Sequence, residues 1–149
     1  HHLCADVLDN LEFDTEFVDS CIDIMGPRLG MWDGEKLGIA GPPLETDEGW
    51  LLIYHGVAHA KAGERSVYSI GAALFDKEDP LQLIARTSEA IMIPQTHYEI
   101  NGVVNNVVFP CGAVIRDDNL IIYYGGADKV VGVAKASLSN LLEKLTRHL

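Results

Sequence analysis

Two stretches of this chain, Trp50-Leu-Leu-Ile-Tyr-His-Gly56 and Asn119-Leu-Ile-Ile-Tyr-Tyr-Gly125, repeat one pattern at an offset of 69 residues. Each is an apolar run that ends in Tyr-x-Gly. Behind each comes a run with a small-residue centre, Ser69-Ile-Gly-Ala-Ala73 and Val130-Val-Gly-Val-Ala134. An antiparallel strand pair of this kind cannot bury both of its faces alone, so its repetition implies that units stack. A period of this length with about four strands exceeds the usual propeller blade and fits one that carries loop insertions. The alternative is two hairpins of a single sandwich.

The other apolar segments are short and rich in β-branched and aromatic residues. Val67–Ile70, Ala72–Phe75, Leu81–Ile84, Val103-Val104, Val107–Phe109 and Ala113–Ile115 are separated by Gly, Asp and Pro clusters. This reads as an all-β domain over residues 1–149. Asn101-Gly102 and Asp117-Asp118-Asn119 are the turn signals, the first typical of a tight hairpin. Only the end reads as helix, with Leu138, Leu141, Leu142, Leu145 and Leu149 on one face and Ser137 or Ser139 as N-cap.

Charge and cysteine usage exclude several functions. The net charge of −11 comes from 22 acidic and 11 basic side chains. Binding nucleic acid or an anionic membrane needs clustered Lys and Arg, so neither is expected as a partner. No apolar stretch approaches the length of a membrane span, and the opening residues lack the pattern of a signal peptide. Cys4, Cys21 and Cys111 stand far apart without CxxC spacing, and an odd count suits a reducing, cytoplasmic compartment. The six histidines show no metal-ligand spacing, so no metal is expected. No GxSxG, Walker or dinucleotide fingerprint is present.

Three segments, in order and at their spacing, carry a family resemblance. The first runs from Trp32-Asp-Gly-Glu-Lys-Leu-Gly-Ile-Ala-Gly-Pro-Pro43 through Thr46 to Gly49–Gly56. The second is Tyr68–Asp76 with Asp79-Pro80 and Arg86. The third is Tyr98-Glu99, then Asn106-Val-Val-Phe-Pro-Cys-Gly112, then Tyr124-Gly-Gly-Ala-Asp128. Together they resemble the carboxy-terminal half of glycoside hydrolase family 130, the β-mannoside phosphorylases and mannosidases, over nearly all of the chain from Trp32 onward. Lys129 where a Thr is more usual, and Gln95 where Glu is frequent, depart from the pattern without touching the positions carried over.

The resemblance implies a five-bladed β-propeller with its site on the axis, of which this chain supplies about two to two and a half blades plus the terminal helix. It implies an inverting enzyme that cleaves β-mannosides with inorganic phosphate as co-substrate and releases mannose 1-phosphate; a minority of the family hydrolyse instead. Inversion needs an acid on one face of the sugar and the attacking group on the other. Phosphate takes the place of the water, and cations that of the second carboxylate. By resemblance Lys36 and His55 contact the phosphate, and Asp128 binds hydroxyls of the sugar. Asn106 is a further candidate for lining the axis.

The general-acid aspartate and two phosphate-binding arginines belong to the amino-terminal half, so no catalytic residue is assigned here. No cofactor is implied. The expected partners are a β-mannoside oligosaccharide, phosphate, and either the missing half or a second copy across the open edge. The alternative is a non-catalytic sugar-binding or structural propeller fragment. In plainer terms Lys36 is a solvated charge, His55 a packed strand-end residue and Asp128 a loop cap. Tyr54, Tyr123, Tyr124 and Trp50 are expected to pack between blades, and Cys111 to be a small buried residue.

Overall fold

The computed structural model describes residues 22–59 and 66–147; Cys4, Cys21 and Leu149 lie outside them. Two antiparallel sheets make up the architecture. In the first, β1 (Lys36–Ile39) and β2 (Leu44–Glu45) share one edge of β3 (Trp50–His59), followed by β4 (Ser66–Phe75) and β5 (Leu83–Arg86). The second is the meander β6 (Val108–Arg116), β7 (Asn119–Gly126), β8 (Val130–Ser137). A one-turn helix α1 (His97–Ile100) precedes β6, and α2 (Leu138–Thr146) closes the chain. Neither sheet closes on itself, as a partial propeller requires.

Alternation along β3 decides what faces what. Leu51 and Ile53 join Ile70, Ala72 and Leu74 in a core shared with Val108, Leu120, Ile122 and Tyr124 of the second sheet. Leu141, Leu142 and Leu145 of α2 seal this core, each contributing about 1.5–3 kcal/mol on burial. Leu52 and Tyr54 point the other way, into a smaller cluster with Ala73, Phe75 and Trp32. The first sheet is therefore covered on both faces. The second is not: Tyr123, Val131 and Val133 on its outer face are 45%, 84% and 59% exposed.

The repeat is real, but its register differs by one residue from the sequence alignment. Tyr54 pairs with Gly71 across β3–β4, and Tyr124, not Tyr123, pairs with Gly132 across β7–β8. Both tyrosines are buried, and each donates its hydroxyl to a buried carboxylate, Tyr54 to Asp33 at 2.9 Å and Tyr124 to Glu99 at 2.7 Å. Each opposing glycine leaves room for aromatic rings, since a Cβ would lie 2.3 Å from Trp32 at Gly71 and 2.6 Å from Tyr124 at Gly132. Because side chains alternate with period two, a slip of one puts Tyr123 on the opposite face from Tyr124. The matched units are offset by 70, as Tyr54 to Tyr124 shows.

Other expectations need correction. Val103-Val104 form no strand, and Asn101-Gly102 is not a hairpin; both lie in an irregular loop that leaves α1. The helix α1 was not anticipated, although Thr96-x-x-Glu99 has the spacing of a capping box. The Thr96 N–H donates to the Glu99 carboxylate at 2.9 Å. The turn signalled by Asp117-Asp118-Asn119 is present: Arg116 pairs with Asn119 around Asp117-Asp118, with Asp117 left-handed at φ 54°. Ser137 is the N-cap of α2, accepting from the Asn140 N–H. Cys111 is exposed rather than buried.

Asp33 has no exposed surface and binds Arg28, Arg86 at 2.5 Å and the Tyr54 hydroxyl. Removing one donor from a buried carboxylate costs more than an average hydrogen bond is worth. Tyr54→Phe is expected to lower the unfolding free energy by about 1–3 kcal/mol. Arg86→Met is expected to cost about 3–5 kcal/mol, because it unbalances a buried charge. Denaturant unfolding followed by tryptophan fluorescence measures both, and near-zero costs for both would contradict this account of the first sheet.

Candidate functional site

Strand register brings two of the candidate residues together. Lys36 pairs with Val57, which pairs with Tyr68; Gly38 pairs with His55, which pairs with Ile70. Lys36, His55 and Tyr68 thus project from neighbouring rows of the face that carries Ile53 and Ile70, toward the second sheet. The Lys36 ammonium sits 5.0 Å above the Tyr68 ring, within cation–π range. The His55 ring stacks on Tyr68 at 5.8 Å and tilts against Phe109 of β6 at 4.3 Å. Gly38 is the reason the imidazole fits, for a Cβ there would lie 2.2 Å from its Cε1.

His55 is buried, and its Nδ1 meets no hydrogen-bond partner among the described residues. Burial, reinforced by the nearby Lys36 charge, pushes the imidazole below its ordinary value of 6.5, so the ring is neutral at pH 7. A neutral imidazole with a free nitrogen beside an ammonium lacks a polar partner. An oxyanion or a hydroxyl would supply one.

Asp128 lies across the seam between the sheets. A cavity of about 230 Å³ is walled by Tyr68, Val104, Val107, Phe109, Cys111, Gly125 and Asp128. Tyr68 and Phe109 are therefore common to the His55 contact and to the cavity that Asp128 borders. Asp128 is exposed and sits in the tight turn between β7 and β8, where the Lys129 N–H returns to the Gly126 carbonyl at 3.0 Å. Ala127 and Asp128 are both left-handed, at φ 47° and 54°. That conformation suits the twist of a hairpin and is tolerated by Asp, as by Gly and Asn, better than by Ala.

Asn106 is also left-handed, at φ 60°, but among the described residues it acts through its backbone. Its carbonyl accepts the Tyr68 N–H at 3.0 Å, and its N–H donates to Ile100 at 3.2 Å. It is not a wall of the cavity. Sequence reading missed Tyr68 and Phe109 as site residues. The signal was available: Tyr68 lies two residues from Ile70 on a strand whose inward face is otherwise aliphatic, and Phe109 interrupts the small residues around Pro110.

The chain matches the sequence model of glycoside hydrolase family 130, described as beta-1,4-mannooligosaccharide phosphorylase, over residues 3–147. It is 50% identical over 110 residues to the Beta-1,2-mannobiose phosphorylase of Thermoanaerobacter sp. strain X514, covering 74% of this chain and 35% of that protein. Its fold resembles that of Beta-1,2-mannobiose phosphorylase from Listeria innocua, solved with beta-1,2-mannobiose. There the TM-score is 0.73 and the identity 40%, over 81% of this chain and 33% of that one. A second similar structure was reported under the heading that the family of mannoside phosphorylases contains glycoside hydrolases targeting beta-1,2 mannosidic linkages in Candida mannan. It aligns at a TM-score of 0.71 and 34% identity, over 80% of this chain and 35% of that one. The chain spans about a third of the length of these relatives. With a family match over nearly its whole length and the propeller strand order in place, the chain belongs to glycoside hydrolase family 130.

Proposed function

We propose that this chain contributes the phosphate-holding and part of the sugar-holding side of an inverting β-mannoside phosphorylase. The observation that carries the reading is the buried, neutral His55 with an unpartnered Nδ1 on the same aromatic ring as the Lys36 ammonium. Inorganic phosphate, as co-substrate, matches that pair: the ammonium balances its charge and the imidazole donates one N–H. Asp128 borders a cavity sized for a single pyranose, with Phe109 and Tyr68 offering ring faces to the sugar's C–H groups. In this reading a phosphate oxygen attacks the anomeric carbon from the face opposite the leaving oxygen. The leaving oxygen takes a proton from an acid outside this chain.

Hydrolysis by the parent enzyme is the second reading, favoured by the similar structure whose heading names glycoside hydrolases. Two cationic or donor groups at one end of the site favour phosphate over water. The bare apolar outer face of β7 and β8 supports pairing with the amino-terminal part of the propeller, or with a second copy. No helix among the described residues is long and apolar enough to cross a membrane, and the cysteine pattern supports a cytoplasmic setting.

Two measurements test this. The His55 imidazole, followed by NMR, is expected to titrate below 6.5 in the free chain, since burial and Lys36 favour the neutral ring. Stability that depends on neutral His55 is present above 6.5 and is lost as the pH falls through that lowered midpoint. Added inorganic phosphate is expected to raise the midpoint, and Lys36→Met to raise it without phosphate while weakening the response to phosphate. A midpoint indifferent to phosphate up to high millimolar concentrations would remove His55 and Lys36 from the proposal.

The second measurement is turnover. The 149-residue chain incubated with β-mannobiose and phosphate is expected to release neither mannose 1-phosphate nor mannose, since general acid catalysis alone contributes roughly 10²–10⁴-fold. An amino-terminal portion from a family member, added in trans, is expected to restore phosphorolysis. Product formation by the isolated chain, abolished by Asp128→Ala, would show that a carboxylate of this chain serves as the acid.

A further inference from the structure

Glu99 is buried to 2% exposure on a single helical turn and is not a wall of the cavity that Asp128 borders. One carboxylate oxygen accepts the N–H groups of Gln95 and Thr96 at 2.8 and 2.9 Å; the other accepts the Tyr124 hydroxyl at 2.7 Å. Burial by itself would raise the Glu99 carboxyl, but these hydrogen bonds outweigh it and hold the group below its ordinary value. Burial also pushes the Tyr124 phenol up, and Glu99 adds to the shift. Donor and acceptor keep their forms throughout the neutral range.

A continuous chain of backbone hydrogen bonds leads from Glu99 to both ends of the site. The Glu99 carbonyl accepts the Val107 N–H at 3.0 Å, and the Val107 carbonyl accepts the Ala127 N–H at 2.9 Å. The Ala127 carbonyl in turn accepts the Val104 N–H at 3.1 Å. One residue before Val107, Asn106 accepts from Tyr68. Residues 104–107 therefore form a strap with the Tyr68 backbone on one side and the Ala127-Asp128 turn on the other. Gly102 keeps the approach tight, since a Cβ there would lie 2.2 Å from the Ala127 oxygen. Three left-handed residues, Asn106, Ala127 and Asp128, lie along this path. Such residues persist only where their surroundings over-determine them.

We propose that Glu99 is a positioning residue of the site: through its bond to Tyr124 it clamps α1 and the 104–107 strap onto β7, and so fixes the Asp128 turn relative to Tyr68. The inference rests on the reading of Asp128 and Tyr68 as site residues. Tyr54 and Asp33 provide an internal control, because they make the equivalent tyrosine–carboxylate bond in the first sheet with no connection to the strap.

The test compares Tyr124→Phe, Glu99→Gln and Tyr54→Phe in the 149-residue chain, using residue-resolved amide hydrogen exchange. Tyr124→Phe and Glu99→Gln are expected to speed exchange about tenfold at Val107, Ala127 and Tyr68 while leaving the amides that bond between β3 and β4 unchanged. Tyr54→Phe is expected to leave those three amides at their wild-type rates. Titration with mannose 1-phosphate is expected to show about tenfold weaker binding in the first two variants and unchanged binding in the third. Rates at the three amides equal to wild type, acceleration spread evenly over the chain, or loss of the folded spectrum in both first variants would overturn the positioning role. If wild-type chain shows no response to mannose 1-phosphate at Asp128, the site reading falls, while the exchange pattern still decides whether Glu99 holds the turn.

Discussion

Asp33 and Glu99 are carboxylates withdrawn from water, and each must be met by enough donors to offset the loss of hydration. The two units solve this differently. Asp33 gathers two guanidinium groups and a phenol, so that Arg28, β3 and β5 converge on one point. Glu99 is met by the N–H groups of Gln95 and Thr96, just ahead of the first helical residue, and by a phenol. In both cases the tyrosine of the central strand stands opposite a glycine of the neighbouring strand, which leaves room for Trp32 beside Tyr54 and for the Tyr124 ring itself. The tyrosine–carboxylate bond is thus common to the two sheets.

The candidate site is a consequence of how these units meet. His55 and Tyr68 come from the face of the first sheet that packs toward the second, and Phe109 from the leading strand of the second. A polar ring in such a seam is costly unless something pairs with it. Among the described residues His55 meets the rings of Tyr68 and Phe109, and the Lys36 ammonium lies over the same Tyr68 ring. Asp128 then projects from a left-handed hairpin turn, whose Ala127 is bonded to Val107 and Val104 of the strap. The candidate residues Lys36 and His55 are thus on one sheet and Asp128 is on the other, with the backbone bonds of residues 104–107 running between Tyr68 and the Ala127-Asp128 turn.

Much of this was legible beforehand. The recurring Tyr-x-Gly and the short apolar runs carry the strand order, and the segments around Lys36, His55 and Asp128 carry the family. The register of the repeat was not legible, because Tyr123 and Tyr124 are adjacent and only burial distinguishes them; the alignment took the exposed one. Val103-Val104 has strand composition but the Val104 amide bonds to a turn, so propensity lost to tertiary context. The helix at His97 was written in Thr96-x-x-Glu99 and overlooked because its apolar periodicity is too short to register. Tyr68 and Phe109 escaped because aromatic residues in a β protein are ordinarily packing. Asn106 was singled out as a polar side chain, and the contacts described for it are those of its left-handed backbone.

The central claim is that one site straddles the two sheets, with phosphate at Lys36 and His55 and sugar at Asp128. A crystal structure of the chain soaked with mannose 1-phosphate tests it most directly. The account predicts the phosphate beside the Lys36 ammonium and within hydrogen-bond reach of His55, with sugar hydroxyls on the Asp128 carboxylate and the ring against Phe109. Clear density for the ligand away from this seam, with these side chains unliganded, would contradict it.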